Sequence, residues 1–436
     1  MSSRKVKLGD FLFRSKIPVD IEDNKQYKRV TIRTKHQGVS VRDVETGSKI
    51  GTKKQFILKA GQFVLSKIDA MYGAFGIAPD EVDGAIITGN FWAYDYDKKM
   101  VSIEWLNHFT NSPDFYELCR RASTGITHRK YLDEDYFLSY EVNLPDLNEQ
   151  ENLVFSIDAI RDKVSYLQNE LSYQLTQLEN LNQAILQEAV QGKLVPQDPK
   201  DEPATELLKR IKAEKAKSGK KEKPFPPIKP SDIPFEIPES WGWCRLGEIA
   251  DIVRGGSPRP AGDKTYYDGD IPFLKVADLT AGNEVYLYEH TYTIKEAGLY
   301  KTRFVEANTL MLTNSGATLG YPKICTFPTT FNDGIAAFLN LSEEFDKVYL
   351  FYFLKSLTSW FLKVASRGQG QPNLNTDIIG LTLFPIPPKE EQKRIVAEIE
   401  NQFAKTKQLK EHIIANQQAT EKLLKALLHQ AFEVSN

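Results

Sequence analysis

The organisation of this chain is set by residues 148–192, which read NEQENLVFSIDAIRDKVSYLQNELSYQLTQLENLNQAILQEAVQG. Apolar residues recur every seven positions, at Ile157, Val164, Leu171, Leu178 and Ile185. The companion positions of the repeat hold Leu153, Ile160, Leu167, Gln174 and Leu181. A five-heptad seam of this kind is typical of a helix that packs along another helix. It predicts one helix of roughly 60 Å, since an α-helix rises about 1.5 Å per residue.

The same helix occurs a second time near the end of the chain. Glu149-Gln150 corresponds to Glu391-Gln392, and the same offset carries Ile185–Ala189 onto Leu427–Ala431 without a gap. A period of this length is far too long for a solenoid repeat, whose units are about 20–50 residues long. The sequence therefore predicts that a unit of one domain and one long helix has been duplicated.

The segments outside the two helices mix short β-rich runs with turn residues and helical stretches. In the first of them, strands are predicted at Tyr27–Arg33, Gln55–Leu58, Gln62–Ile68 and Ala85–Ala93, and a helix at Trp105–Arg121. The predicted fold class is α+β, with two globular domains joined by two long helices that form an antiparallel coiled coil, as a pseudo-two-fold internal repeat. The predicted boundaries are 1–147 for the first domain, 148–192 for the first long helix, 193–240 for a connector with a short helix, 241–386 for the second domain and 387–436 for the second long helix.

Each apolar seam must be buried on something, and the other long helix is the simplest partner. Gln174 and Asn416 occupy equivalent positions near the middle of the two helices. A single polar layer in an apolar seam can fix the register of a helix pair. We therefore expect Gln174 and Asn416 to meet in one central polar layer.

The connector is rich in proline, and between Lys209 and Lys223 it carries eight basic residues against two acidic ones. A short helix is predicted at 203–217, and the rest has the composition of an extended segment. The lysine run has two interpretations, a solvated linker or a contact with the DNA backbone.

Composition narrows the class of protein. The net charge is −2 and the isoelectric point is about 6.4, which do not by themselves indicate a nucleic-acid partner. A chain without net charge can nevertheless carry local basic patches. Three distant cysteines without metal-ligand spacing argue against a disulfide framework and fit a reducing, cytoplasmic location. No apolar run is long enough for a membrane span, and no signal peptide is expected.

Three stretches carry a resemblance to a known family. One is LFPIPPKEEQKRIV at Leu383–Val396, echoed by NLPDLNEQENLV at 143–154. Another is QAILQEAVQGKLVPQDPKDEPATELLKRI at Gln183–Ile211. The last is WGWCRLGEIADIVRGGSP at Trp241–Pro258, together with IPFLKVADL at 271–279. These stretches resemble the specificity subunit of type I restriction–modification systems, and the resemblance covers nearly the entire chain.

The resemblance implies a DNA-binding subunit with two target-recognition domains. Each domain would read one half of a bipartite target in double-stranded DNA, and the long helices would act as a ruler between them. It also implies docking of methyltransferase subunits, two of them, with restriction/translocase subunits joining outside. The first domain lacks the GGSP and IPFLK segments of the second, a divergence that two different half-site sequences would produce.

Catalytic motifs are absent from the sequence. There is no S-adenosylmethionine loop, no Asn/Asp-Pro-Pro-aromatic motif, no phosphate-binding loop and no His-Glu-x-x-His. No catalytic, cofactor-binding or metal-binding residue is therefore predicted, and the chain is not expected to be an enzyme. Two alternatives stay open, a structural coiled-coil adaptor between protein partners and a self-contained endonuclease built from the plentiful Asp and Glu residues.

Candidate DNA-binding residues lie in loops whose side chains suit phosphates or base edges. In the second domain they are Arg254, Ser257, Arg259, Asn314, Ser315, Gln369, Gln371, Asn373 and Asn375. In the first domain they are Arg33, Lys35, Lys67, Tyr72, Thr127, Arg129 and Lys130. The alternative for all of them is an ordinary turn, because Gly, Asn and Ser build turns in any protein.

Overall fold

The computed structural model describes residues 4–124, 130–217, 224–365 and 373–432. Its α-helices, in chain order, are Ile103–Thr110 (α1), Pro113–Arg121 (α2), Glu134–Ser139 (α3), Leu147–Val190 (α4), Ala204–Lys217 (α5), Leu246–Ile249 (α6), Val276–Thr280 (α7), Lys347–Ser356 (α8), Thr358–Ala365 (α9), Thr376–Leu381 (α10) and Lys389–Phe432 (α11). Short 3₁₀ turns lie at Leu8–Asp10, Gly47–Lys49, Ala70–Tyr72, Asp80–Val82, Pro230–Asp232 and Glu296–Lys301. None of the helices within these ranges has the length and apolar character that a membrane crossing needs.

The chain divides into two units, one made of residues 1–173 and 413–436 and the other of residues 174–412. Each long helix therefore contributes residues to both. Strands of the first unit are Arg4–Lys7 (β1), Leu12–Ser15 (β2), Pro18–Asp20 (β3), Gln26–Ile32 (β4), Val39–Thr46 (β5), Lys54–Leu58 (β6), Phe63–Ser66 (β7), Phe75–Ile77 (β8), Ala85–Ile87 (β9), Phe91–Tyr96 (β10), Ser123–Thr124 (β11), Tyr131–Leu132 (β12) and Glu141–Leu144 (β13). They form sheets in the orders β2-β10-β7-β8 and β3-β6-β9-β4-β5, with the pairs β1-β13 and β11-β12.

The core of the first unit is largely aromatic. Phe75 and Phe115 meet edge to face with their ring centroids 4.9 Å apart, and Phe63 packs against both. The single helix predicted at Trp105–Arg121 is wrong, because the chain breaks it into α1 and α2. Ser112 caps α2 by accepting a hydrogen bond from the Phe115 N–H, and Pro113 takes its first position, where no backbone donor is needed.

The second unit has its own strands and core. The strands are Gly242–Arg245 (β14), Asp251–Arg254 (β15), Tyr267–Leu274 (β16), Tyr286–Leu287 (β17), Thr293–Ile294 (β18), Arg303–Val305 (β19), Thr309–Thr313 (β20), Pro322–Cys325 (β21), Thr329–Phe331 (β22), Ile335–Leu339 (β23) and Leu383–Ile386 (β24). They form sheets in the orders β15-β23-β20-β21-β17 and β18-β16-β22-β19, with the pair β14-β24. The larger core gathers α5, α8 and the start of α11 around β20 and β23.

The duplication is visible in how each unit attaches its long helix. In both units the first strand pairs antiparallel with the strand that leads into the long helix, β1 with β13 and β14 with β24. In both, a Leu-Gly-Asp/Glu turn follows that first strand. Its carboxylate accepts a hydrogen bond from the backbone N–H three residues earlier, Asp10 from Lys7 and Glu248 from Arg245. The predicted α+β architecture with an internal repeat is confirmed.

The two long helices run antiparallel. In the second unit the Thr406 hydroxyl lies 2.8 Å from Asn182 Oδ1, and Lys410 approaches Glu179 at 4.0 Å. Residue numbers therefore rise along α11 as those of the facing residues of α4 fall. The buried face of α4 is not the whole predicted seam. Leu167 and Leu181 are 46% exposed. Because α-helices have 3.6 rather than 3.5 residues per turn, the apolar face moves around a straight helix.

The described part of the connector packs onto the second unit. Leu207 and Ile211 of α5 are buried in its core. Further along, Phe225 lies so close to Gly247 that a methyl group on this glycine would come within 2.2 Å of the ring. Arg210 bridges Glu202 and Glu344 at 2.7 and 2.9 Å. The short helix predicted within the connector is present as α5, and its apolar face is used as core.

Candidate nucleic-acid interface

The first unit presents predicted residues at the tip of the β4–β5 hairpin. The turn from Arg33 to Gly38 is closed by a 3.0 Å hydrogen bond from the Arg33 N–H to the Gly38 carbonyl. Lys35 and His36 have positive φ angles of 60° and 51°, which few non-glycine residues adopt. Arg33 and Lys35 are exposed, and neither side chain contacts a carboxylate of any residue that the structure describes.

A second loop lies directly beneath this tip. The Lys35 N–H donates to the Tyr72 carbonyl at 2.7 Å, and the His36 N–H donates to the Gly73 carbonyl at 2.9 Å. The Tyr72 side chain is 57% exposed. The structure therefore brings Arg33, Lys35 and Tyr72 together on one surface of the unit.

A third segment contacts the start of the same loop, at Lys67. The Lys67 carbonyl accepts a hydrogen bond from the Leu132 N–H at 2.7 Å, and its ammonium lies 5.4 Å from the centre of the Tyr131 ring. Lys130 is exposed beside Tyr131. Tyr131 was missed by the sequence analysis because nothing in its neighbours distinguishes it from a core tyrosine. We call the set Arg33, Lys35, Lys67, Tyr72, Lys130 and Tyr131 the first-unit surface; Thr127 and Arg129 lie outside the described residues.

His36 anchors the hairpin tip as a neutral side chain. Burial, followed by the charges of Arg161 and His108, lowers its pKa to about 4. Its Nε2 lies 3.2 Å from the Thr110 hydroxyl, which itself donates to the Asn107 carbonyl. The hydroxyl must therefore accept from His36, so the proton of the neutral ring is on Nε2.

In the second unit, Asp333 organises the predicted Arg254–Arg259 turn. Its carboxylate accepts from the Ser257 hydroxyl at 2.6 Å, and its backbone carbonyl accepts from Arg254 Nε. Partial burial acts to raise the pKa of Asp333, but the Ser257 hydroxyl, its own backbone N–H and the nearby guanidinium groups together lower it. Asp333, which the sequence analysis did not single out, thus holds Ser257 through its charged carboxylate and Arg254 through its backbone carbonyl.

The two glycines of this turn have a packing reason. A Cβ atom on Gly255 would lie 2.3 Å from the Asn332 carbonyl oxygen, and one on Gly256 would lie 2.4 Å from that of Lys301. The chain therefore needs glycine at both positions for close contact with its own backbone. Approach to a phosphate is not required to explain them.

A cavity of about 380 Å³ opens beside the turn. Its walls include Ser257, Arg259, Lys275, Asn332 and Asp333. The Lys275 ammonium also lies 3.4 Å from the centre of the Tyr292 ring, an arrangement in which the aromatic face stabilises the cation. We call this group the second-unit cleft. Lys275 lies in the quoted IPFLK motif, but no local pattern indicates that it shares a cavity with Arg259.

The remaining predicted residues of the second unit have mixed positions. Asn314 is fully buried, and its side-chain amide has no hydrogen-bond partner among the residues that the structure describes. Ser315 forms an isolated β-bridge with Asn373, which brings these two predicted segments together. Asn375 caps α10 by accepting from the Ile378 N–H at 2.8 Å, so its side chain already has a structural partner. Gln369 and Gln371 lie outside the described residues.

Within the described ranges, no group of three or more His, Cys, Asp or Glu side chains is placed to hold a metal ion. The three cysteines are buried, and burial raises the pKa of each thiol. A buried thiol with a raised pKa is a poor nucleophile at neutral pH.

Comparison with known proteins shows what this framework is similar to. Residues 238–416 match the model of the type I restriction modification DNA specificity domain. The chain is 29% identical over 356 residues to the type I restriction enzyme EcoAI specificity subunit of Escherichia coli, covering 69% of this chain and 59% of that subunit. The aligned part thus spans about three fifths of the length of such curated relatives.

Solved structures share the fold over the whole chain. One described as the structural basis of complex assembly and conformational transition of the type I R-M system aligns with a TM-score of 0.65 at 19% identity, covering 100% of this chain and 98% of that one. The crystal structure of the HsdS subunit from Thermoanaerobacter tengcongensis aligns with a TM-score of 0.56 at 20% identity, covering 99% and 96%. The predicted resemblance is confirmed: residues 238–416 match the type I restriction modification DNA specificity domain, and the chain is similar to specificity subunits of type I restriction enzymes.

Proposed function

We propose that this chain is a non-catalytic DNA-specificity subunit that reads a bipartite target in double-stranded DNA. The observation that carries the proposal is that each unit holds its own candidate surface on loops, while the framework that supports the loops is repeated in both units. The first-unit surface combines exposed cations with tyrosines, and the second-unit cleft combines Arg259 and Lys275 with an amide and a carboxylate. Cations suit phosphates, and amides or carboxylates suit base edges.

The reading domains are residues 1–147 and 241–386, the spacer helices are 148–192 and 387–436, and 193–240 is the connector. The first domain contacts its half-site through Arg33, Lys35, Lys67, Tyr72 and Lys130, joined by Thr127 and Arg129. The second uses Arg254, Ser257, Arg259, Ser315, Asn373, Gln369 and Gln371. Asn314 and Asn375 belong to this set only if binding frees their side chains, because one is buried and the other caps a helix.

The long helices also offer a surface for protein partners. Phe155, Tyr166 and Tyr173 of α4 are 76%, 68% and 59% exposed. They are 11 and 7 residues apart, close to whole numbers of helical turns, so they lie along one side of the helix. Exposed aromatic side chains in a row are a common feature of protein interfaces. In this proposal two methyltransferase subunits dock on the helices, restriction/translocase subunits join outside, and the assembly works in the cytoplasm.

Sequencing of methylated bases tests the proposal in a bacterial host that supplies the methyltransferase. With the full chain present, we expect methylation at a split motif with two defined halves and an undefined spacer. Its absence in the presence of an active methyltransferase would contradict the proposal. A coiled-coil adaptor would show no salt-sensitive binding to a duplex, whereas an endonuclease would cut DNA as the purified chain with magnesium alone.

A further inference from the structure

We propose that Gln37 determines specificity in the first domain by reading an adenine in an A·T pair of its half-site. Gln37 lies at the tip of the β4–β5 hairpin, between His36 and Gly38, and its side chain is exposed. The inference rests on the proposed function and names one base-reading residue within it. The argument is that the tip is rigid, that it turns Gln37 outward, and that the chemistry of this side chain suits a base edge.

Rigidity comes from backbone bonds to a neighbouring loop. Lys35 and His36 both donate their N–H groups to carbonyls of the loop before β8, at 2.7 and 2.9 Å. That loop is itself tightly packed, since a Cβ on Gly73 would come within 2.6 Å of the Tyr116 ring. A hairpin tip in solvent has no such attachment and would sample many conformations.

The His36 side chain adds two further contacts. It donates from Nε2 to the buried Thr110 hydroxyl of α1, and its ring meets Phe75 edge to face with centroids 5.4 Å apart. With φ angles of 60° at Lys35 and 51° at His36, followed by 86° at Gly38, the backbone holds a left-handed turn. Strained backbone persists where the surroundings fix it, often at binding sites.

Side chains of the fixed turn divide into one that anchors and several that face solvent. His36 points into the unit, whereas Arg33, Lys35 and Gln37 are exposed. The Gln37 amide makes no hydrogen bond to any other described residue. Cations on either side can hold the tip on phosphates, which carry no sequence information. An uncharged amide between them can instead form two hydrogen bonds to N6 and N7 of adenine in the major groove.

Selection from a randomised library of DNA duplexes, using the purified full chain, tests the inference. The variants are Gln37→Ala, Gln37→Glu and the control Gln26→Ala, which changes an exposed glutamine at the far end of the same hairpin. Wild type should select a split motif with adenine at one position of one half. Gln37→Ala should lower discrimination at that position by about fivefold to a hundredfold, while the other half-site stays unchanged. Gln37→Glu should shift the preference to cytosine, whose N4 donates to a carboxylate.

The anchoring role is tested with Thr110→Val, which keeps the shape of the side chain and removes the acceptor for His36. We expect weaker discrimination at the same position only, with unchanged overall affinity and salt dependence. A split motif that survives Gln37→Ala without change would overturn this inference and leave the proposed function intact. Equal loss at both half-sites would also overturn it, and selection of no motif by wild type would overturn both.

Discussion

His36 places an ionisable ring where a proton is costly. The ring is enclosed by the hairpin, by α1 and by the aromatic core, and it faces the cationic Arg161 of α4 and the nearby His108. His108 is buried too, and burial together with Arg161 lowers its pKa, although Asp158 at 2.9 Å acts in the opposite direction. The first unit therefore contains two histidines that favour the neutral form.

This arrangement predicts that the first unit loses stability in mild acid. The pKa of His36 is about 4 in the folded chain against an ordinary value of 6.5. Between these pH values the unfolded chain binds a proton that the folded chain excludes, so stability falls as the pH drops below 6.5. The full effect is at most about 3 kcal/mol, because one pKa unit corresponds to about 1.4 kcal/mol. Urea unfolding from pH 7.5 to 4.5 measures it.

The control for this prediction is His36→Phe, which keeps an aromatic ring against Phe75 but cannot be protonated. Its stability should be lower at pH 7.5, because the Thr110 bond is lost, but should fall less steeply with acid than that of wild type. If the free energy of unfolding falls equally with acid in both proteins, protonation of His36 does not contribute to the acid sensitivity.

A pair of glutamines, Gln150 and Gln392, is equivalent by sequence and equivalent in structure. Each is fully buried and links its long helix to the domain beside it. Gln150 accepts from the Ser102 N–H at 2.8 Å, and Gln392 accepts from the Asp346 N–H at 2.9 Å. Each also donates to the carbonyl of the proline five residues earlier. The offset in sequence identifies the pair, but only the structure shows that the conserved role is a buried hydrogen bond.

We expect Gln392→Ala to destabilise the second unit. It leaves the Asp346 N–H and the Pro387 carbonyl without partners, and each unpaired buried group costs roughly 1–3 kcal/mol. Gln418→Ala, an exposed position on the same helix, should change stability by less than about 0.5 kcal/mol. Hydrogen exchange at the Asp346 amide measures the local effect. Equal protection in both variants would mean that other contacts hold the helix to the domain.

At the scale of elements, sequence periodicity predicts that a helix exists better than it predicts where the helix ends or what it packs against. Both 44-residue helices follow from heptads and from their repeat. The break between α1 and α2 depends on Ser112 and Pro113, whose capping role competes with a continuous apolar pattern. The positions of loops in the folded structure are harder still to predict from sequence. Nothing local indicates that Lys35 contacts Tyr72, because that contact joins chain segments through the packing of two sheets.

The register of the helix pair leads to a further prediction. In the second unit, the numbers of the paired residues Thr406 and Asn182 add to 588, and those of Lys410 and Glu179 add to 589. In the first unit, Gln417 and Ser172 also add to 589. A constant sum is what an antiparallel pair without a stutter requires. Gln174 and Asn416 add to 590, and their meeting in one central polar layer stays a prediction.

Cysteines at Gln174 and Asn416 test this register. Under mild oxidation of the full chain we expect rapid disulfide formation, because facing positions of a helix pair fall within reach of such a bond. The native cysteines are buried and should not compete. In the control, the cysteine on α4 is placed at Gln177 instead of at Gln174, about one turn along the helix. This pair should react slowly. Faster reaction of the control pair would place the register one turn away from the expected layer.

At the scale of the whole molecule, a chain with a net charge of −2 is proposed to bind a polyanion. Local fields reconcile these facts, since salt screens charges beyond about 10 Å and a cluster of cations acts on what lies directly above it. The first-unit surface is such a cluster. The charge count of a sequence averages over 436 residues, so it hides patches that only folding assembles.

Arg33→Ala combined with Lys35→Ala should therefore weaken binding to cognate and random duplexes alike. If each side chain contacts one phosphate, the slope of log K against log[salt] should become shallower by about 1.8, at about 0.9 per contact. Lys98→Ala with Lys99→Ala removes the same charge from exposed positions outside the first-unit surface and should leave the slope nearly unchanged. Equal slopes for the two double variants would mean that net charge governs binding. A shallower slope for Arg33→Ala with Lys35→Ala than for the control would mean that the position of the charges on the fold governs binding.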